Sequence, residues 1–328
     1  MVLPEDMINQ VNLIIQSSKR TQSLPGHIML DGIAGGGKTS LADVIANELG
    51  FITQQKFEEE KERRGETLKE NESPEKMIVH CGISTNYTEL VIKLYKDYKP
   101  NHGIVPQRIF FIDEAHALPK AVFEMLLPVL ENNTISLSKN GINQTFDLPP
   151  CTWIVATTNP EKINGPFKNR FRHHITFYPY EQQEIVEIAQ RNLQKVNLTL
   201  DQRSIEMLAS ISRQTPRNLN KNSRNLLDYT TIINTTTLTY DMFKDFLKYV
   251  GIDNRGYSKQ DRLVIKALGS GPNINAIPLR TLTAITAIDT ETLTEIIEPY
   301  LVRVGIMEVT SRGRMLTQRG NELYKELF

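Results

Sequence analysis

The chain has 328 residues, room for two or three domains, and its 40% hydrophobic and 23% charged residues describe an ordinary globular protein. Basic and acidic residues number 38 each, so no whole-chain basic field marks a nucleic-acid binder, and any such contact has to come from a local cluster. No apolar run reaches membrane length and Met1–Gln10 lacks the basic-then-apolar order of a signal peptide, while Cys81 and Cys151 sit in apolar strand-like surroundings; the expectation is a cytoplasmic protein with buried, reduced thiols and no membrane contact.

Helical periodicity covers Met7–Thr21. A short apolar strand, His27–Leu30, runs into the Gly-rich turn Asp31–Gly37, and Lys38–Leu49 then reads as a helix closed by Gly50. Gln54–Lys76 is rich in Glu, Lys and Arg and reads as a charged insertion, either an exposed helix or a partly disordered loop. Met77–Cys81 is a strand and Thr88–Tyr98 an amphipathic helix ended by Pro100. Arg108–Ile112 is a continuous apolar strand of the kind buried in a parallel sheet, followed by a helix over Ala121–Leu130. Thr134–Leu148, with Asn140-Gly141 inside it, predicts a β-hairpin; Thr152–Ala156 and Ile175–Phe177 predict two more strands.

Past Tyr180 the pattern changes. Glu181–Val196, Asp201–Thr215, Arg217–Asn234 and Tyr240–Val250 read as successive helices with short polar joints, and Gly251–Tyr257 as a linker. Helices at Lys259–Leu268, Leu279–Ala287 and Asp289–Gly305 precede a two-stranded wing, Ile306–Leu316, turning at Arg312-Gly313, and a last helix starts at Gln318. Three helices and a wing make a winged helix. The expected organisation is an α/β P-loop domain with a parallel sheet over 1–179, a small helical domain over 180–252 and a winged helix over 253–328.

Gly32-Ile-Ala-Gly-Gly-Gly37-Lys38-Thr39 fits the template G-x-x-x-x-G-K-[ST] in full, between a strand and a helix. Glycines let backbone N–H groups converge on phosphate oxygens, and a helix N-terminus favours the same charge. Lys38 would then reach the β- and γ-phosphates of ATP, and the Thr39 hydroxyl would hold Mg²⁺. Asp113 and Glu114 end an apolar strand seventy-odd residues on: Asp113 to orient Mg²⁺, Glu114 to polarise the attacking water. In a parallel sheet the strand C-termini line the nucleotide crevice, which makes Thr158, with Asn159 second, a candidate sensor of the terminal phosphate; a turn cap is the alternative. Arg170 is a candidate arginine finger acting on a neighbour's nucleotide, and Arg217, beside Pro216 at a helix start, a candidate phosphate sensor of its own chain. Arg312, Arg314 and Arg319 lie on or just after the wing, where guanidinium groups grip phosphates or a minor groove. His116, His173 and His174 lack metal-site spacing and read as structural or solvated.

The order of these motifs resembles the RuvB family of AAA+ branch-migration motors. Ala42–Gly50, Ile112–Leu118, Leu148-Pro-Pro-Cys-Thr152, Thr215-Pro-Arg217 and, most discriminating, Glu298–Gly305 leading into Arg312-Gly-Arg-Met315 carry the likeness, which spans about Gly26 to Leu327 without the charged insertion 54–76. The resemblance implies that Gly32, Gly35, Gly36, Gly37, Lys38, Thr39 and Ser40 contact nucleotide and metal, that Tyr178 touches ATP, that Arg170 and Arg217 are the finger and second sensor, and that Arg314 and Arg319 meet DNA. It also implies a hexameric ring on duplex DNA or a four-way junction, and a RuvA-type partner on the hairpin 134–148 through Ile135, Leu137 and Ile142. The chain departs from the family in a shortened N-terminal segment, of which Ile8-Asn9-Gln10 remains, in Ile-Ala-Gly-Gly where the P-loop usually has Pro-Pro-Gly-Leu, in the enlarged first crossover and in a slightly shorter hairpin. Two other readings share the same core: a clamp-loader-like or replication-initiator ATPase working as a DNA-bound switch, and a non-motor AAA+ adaptor that only binds DNA.

Overall fold

The computed structural model describes residues 2–67, 73–91, 106–139, 142–270 and 276–328, without the side chains of 136–144. Two units make up the chain, Met1–Tyr180 and Glu181–Phe328.

The first unit is built on five strands: β1 (Ile28–Gly32), β2 (Lys76–Cys81), β3 (Gln107–Ile112), β6 (Cys151–Thr157) and β7 (His173–Phe177). They lie in the order β2-β3-β6-β1-β7, all parallel. Continuous apolar sequence is what a sheet covered on both faces requires, because successive side chains point to opposite sides. Phe110, Ile112, Trp153 and Val155 accordingly enter one core with Phe123, Leu126 and Phe167. Ile109, Phe111, Ile154 and Ala156 enter the other with Ile14, Leu41 and Ile45. Helices α1 (Glu5–Thr21) and α2 (Lys38–Glu48) cover the second face, and α4 (Lys120–Asn132) and α5 (Gly165–Lys168) the first. Each fully buried large apolar side chain contributes about 1.5–3 kcal/mol. Both cysteines are free and buried, and burial pushes their thiols up to about 12.

Within the charged insertion, Gln54–Arg63 is helical (α3), so of the two readings the described part follows the exposed helix. Residues 87–91 are helical; the rest of the helix expected to Tyr98 lies outside the described residues. Strands β4 (Thr134–Lys139) and β5 (Ile142–Asp147) pair antiparallel as the expected hairpin, while its Asn140-Gly141 turn lies outside the described residues. Ile135 departs from its expected role as an exposed partner contact: it is buried in the core beside Leu130 and Leu148. Its alternation in the first strand turns it inward, under the hairpin's base. The side chains of Leu137 and Ile142 lie outside the described residues.

The second unit opens with α6 (Gln182–Lys195), α7 (Gln202–Ile211), α8 (Pro216–Ile232) and α9 (Tyr240–Tyr249). A parallel pair of two-residue strands, β8 (Thr199–Leu200) and β9 (Thr237–Leu238), joins them; segments so short leave no periodicity in the sequence. Helix α7 stops short of the expected Thr215, because Arg213 and Gln214 take left-handed φ of 54° and 59° ahead of Pro216. The winged helix follows as α10 (Lys259–Gly269), α11 (Leu279–Thr286), α12 (Glu298–Arg303), the wing strands β10 (Met307–Thr310) and β11 (Gly313–Leu316), and α13 (Gln318–Leu327). The helix expected over Asp289–Gly305 is present, with a π-helical stretch, Thr292–Ile297, that runs without a break into α12 ahead of Pro299. Proline has no N–H to donate and its ring displaces the preceding turn, which widens the helix there.

Candidate active site

The parallel order sets the C-terminal ends of β3, β6 and β1 side by side, and each of these ends carries a motif residue. After β1, Gly32, Gly35 and Gly37 hold φ of 110°, 72° and 108°, a region other residues enter only at a cost. Gly32 also lies against the partner strand: a Cβ there would sit 2.0 Å from the Phe177 carbonyl oxygen. Helix α2 begins at Lys38 behind Gly37, which offers no side-chain cap and leaves the first-turn amides open to an anion. Lys38 is buried, and its Nζ donates to the carbonyls of Gly32 (3.0 Å) and Ile33 (2.8 Å), inside the loop that would wrap phosphate. The Tyr180 hydroxyl donates to the Gly36 carbonyl at 3.0 Å and pins the loop from the sheet edge; nothing in the sequence singled Tyr180 out. Tyr178, two residues before it, is 72% exposed, next to the P-loop strand pairing at Gly32.

At the end of β3, the Thr39 hydroxyl donates to Asp113 Oδ2 at 3.2 Å, bringing together the two residues expected to share a metal. Asp113 Oδ1 accepts the Glu114 N–H at 3.0 Å. Glu114 has a left-handed backbone (φ 49°, ψ 46°), a strained conformation of the kind that collects at functional sites. Its Oε2 accepts the Thr158 hydroxyl from the end of β6 at 3.1 Å, which joins the expected base to the expected sensor. His116 Nδ1, of a histidine expected to be structural or solvated, lies 3.3 Å from the same oxygen. Ser40 is exposed in the first turn of α2.

Arg170 stands away from this cluster. Its guanidinium forms an ion pair with Glu131 near the end of α4 at 2.9 Å, with the arginine side chain 33% exposed. In the second unit, Arg217 is exposed in the first turn of α8. On the wing, Arg312 is exposed at the β10–β11 turn and Arg319 is exposed at the start of α13, whereas Arg314 is held by Glu298 through two bonds of 2.6 and 3.1 Å. Thr39 thus meets Asp113, and Thr158 meets Glu114, within the first unit; Arg170 pairs elsewhere in that unit, Arg217 lies in the second, and the wing arginines divide into one paired and two exposed.

Residues 28–179 match the ATPase family associated with various cellular activities (AAA), and residues 254–325 match the RuvB C-terminal winged helix domain. The chain carries an AAA ATPase domain and a RuvB-type C-terminal winged helix domain. It is 26% identical over 96% of its length to the Holliday junction branch migration complex subunit RuvB of Acholeplasma laidlawii, covering 86% of that protein. The RuvB of Kosmotoga olearia is 28% identical over 94% of the chain and is covered to 83%. A structure of the Thermotoga maritima RuvB Holliday junction branch migration motor shares the fold with a TM-score of 0.75 over 99% of this chain and 95% of that one, at 24% identity. A point variant of the same protein gives 0.76, with 96% of that chain covered. The AAA match gives the chain a nucleotide-binding ATPase domain, and among its described residues no helix is long and apolar enough to cross a membrane.

Proposed function

We propose that this RuvB-like chain hydrolyses ATP to drive branch migration of four-way DNA junctions, moving duplex DNA through a ring of its own copies. The observation that carries the reading is the cluster of Lys38, Thr39, Asp113, Glu114 and Thr158 at one sheet edge, on a chain that also bears a RuvB-type winged helix. Uncapped amides of α2 and the P-loop would take the phosphates, with Lys38 exchanging its loop carbonyls for phosphate oxygens. Thr39 and Asp113, already in contact, suit a Mg²⁺ ion, which when bound would neutralise phosphate charge. Glu114 would orient and deprotonate the attacking water, Thr158 would sense the terminal phosphate and Tyr178 would flank the nucleotide.

Arg170 would complete the site of an adjoining copy, leaving Glu131 for the transferring phosphate, and Arg217 would report nucleotide state to the helical part of the second unit. Arg312 and Arg319 would hold the DNA backbone, with Arg314 behind them, and the hairpin 134–148 would meet a RuvA-type protein. The test is ATP-dependent dissociation of a synthetic four-way junction, with and without a RuvA-type protein. Dissociation that disappears in Glu114→Gln is the expected result. Strong DNA-stimulated ATPase with no junction moved would remove the motor reading and leave a DNA-bound switch of the clamp-loader kind.

A further inference from the structure

We infer that His116 and Asn159 are positioning residues that orient the Glu114 carboxylate, forming a second arm beside Thr158 between the end of β6 and the catalytic base. The inference rests on the ATPase reading and assigns it His116, which motif matching leaves out, together with a positioning role for Asn159 in place of phosphate sensing.

The imidazole is held from both ends. Asn159 Nδ2 lies 3.3 Å from His116 Nε2, and an amide NH₂ can only donate, so Nε2 carries the lone pair. The proton of a neutral ring is therefore on Nδ1. That nitrogen faces Glu114 Oε2 at 3.3 Å and the Thr157 hydroxyl oxygen at 3.1 Å. Thr157 is buried, and its hydroxyl also accepts the Asn159 N–H at 3.1 Å, which ties the amide end of the arm to the strand end. Only 16% of the His116 side chain is exposed, against 42% for Glu114. The ring is thus shielded and oriented, with Nδ1 bonded to the Thr157 hydroxyl and the solvent-facing Glu114 carboxylate 3.3 Å from the same nitrogen.

Glu114 gains from such a neighbour. Its backbone is left-handed, its Oε2 accepts the Thr158 hydroxyl, and His116 Nδ1 lies 3.3 Å from the same oxygen. Asn159 and Thr158 are also in contact, Nδ2 to Oγ1 at 3.4 Å. The sequence Thr157-Thr158-Asn159 therefore acts on Glu114 twice, directly through Thr158 and indirectly through Asn159 and His116. His116 reaches no reacting atom itself.

The experiment compares steady-state ATPase of the full chain with junction DNA, and ATPγS binding by calorimetry, for His116→Ala, His116→Gln, Asn159→Ala and the double variant His116→Ala/Asn159→Ala. His116→Ala lowers kcat about tenfold while ATPγS affinity stays within twofold. Gln, whose amide offers a donor to Glu114, recovers a large part of kcat. Because the two residues act in series, the double variant falls no further than His116→Ala alone. Unchanged kcat in His116→Ala, a loss confined to affinity, or independent multiplying losses from the two residues would overturn the assignment. Absence of ATP turnover in the unmodified chain with any DNA would instead sink the ATPase reading beneath it.

Discussion

Glu298 and Arg314 form a two-pronged ion pair, 2.6 and 3.1 Å, that ties the start of α12 to the wing strand β11. Their side chains are only 9% and 16% exposed. Removing one partner of such a pair leaves the other charge in poor solvent, at a cost on the order of 3 kcal/mol. Glu298→Ala is therefore expected to lower the unfolding free energy by about that amount, read by urea denaturation. Arg312, exposed at the wing turn, lacks such a role. Arg312→Ala should leave stability unchanged and weaken duplex binding while reducing the slope of log affinity against log salt by about 1. Equal stability losses in the two variants would contradict this division of labour.

Arg213 makes a comparable link inside the second unit. Its guanidinium donates to Asp261 at 2.7 Å and to the Ile296 carbonyl at 3.2 Å, and lies 4.6 Å over the Tyr300 ring. Asp261 is fully buried and also accepts the Ser258 N–H and hydroxyl at the start of α10. Arg213→Ala should cost about 3–5 kcal/mol, since it strands a buried carboxylate. Adding Asp261→Asn to that variant should return part of the loss by removing the stranded charge. If instead the double variant is as unstable as the sum of its parts, the pair is not what holds these segments.

Arg170 and Glu131 give a test of neighbour-to-neighbour catalysis. A finger supplied in trans is worth on the order of 10³ in kcat, so Arg170→Ala should lose about that factor with nucleotide affinity retained. Mixing inactive Arg170→Ala copies with inactive Glu114→Gln copies should then restore measurable ATPase. In a mixed ring, some sites combine an intact Glu114 with an intact Arg170 from next door. No recovery on mixing would mean that Arg170 keeps to its own chain and Glu131.

Much of the candidate nucleotide site was legible because its chemistry dictates spacing. Lys38 and Thr39 follow glycines that alone tolerate the loop's φ angles, and Asp113 and Glu114 end a strand too apolar to be anything but central. What escaped the sequence depends on distances across the fold. His116 was set aside because its partners, Thr157 and Asn159, lie more than forty positions away. Tyr180, Glu131 and Glu298 carry no motif and acquire meaning only from the atoms they touch. Ile135 misled because alternation predicts two faces without saying which one is covered.

Gly32 separates backbone need from motif membership. Its φ of 110° and the 2.0 Å approach a Cβ would make to the Phe177 carbonyl leave no room for alanine. Gly32→Ala should destabilise the first unit by on the order of 3 kcal/mol and abolish nucleotide binding, seen by thermal melting and ATPγS calorimetry. Gly36 is not in the left-handed region, and its nearest Cβ contacts are 3.2 Å to the Ile33 side chain and 3.3 Å to the Ile33 carbonyl and to Phe177 Cβ. Gly36→Ala should therefore cost distinctly less. Equal losses would show that the motif tolerates no side chain anywhere, regardless of geometry.

Acid should loosen the first unit through His27. Its Nδ1 accepts the Trp153 N–H at 3.1 Å, so Nε2 carries the proton and donates to the Leu130 carbonyl at 3.0 Å. A second proton would place N–H against N–H in a buried site. Burial accordingly pulls the His27 pKa below its ordinary 6.5, only partly offset by the bond to Leu130. Burial, then the charges of Arg172 and His174, pull His173 the same way. The unfolded chain therefore binds protons at a higher pH than the folded one. Stability contributed by the neutral rings is present above 6.5, declines as pH falls through 6.5, and levels off below the folded values. Each ring contributes at most about 1.4 kcal/mol per pH unit in that window. Urea titrations between pH 7.5 and pH 5 should show this fall, and His27→Gln should make it shallower, because a neutral amide can accept from Trp153 and donate to Leu130 without titrating. A variant whose acid sensitivity matches the unmodified chain would assign the fall to other groups.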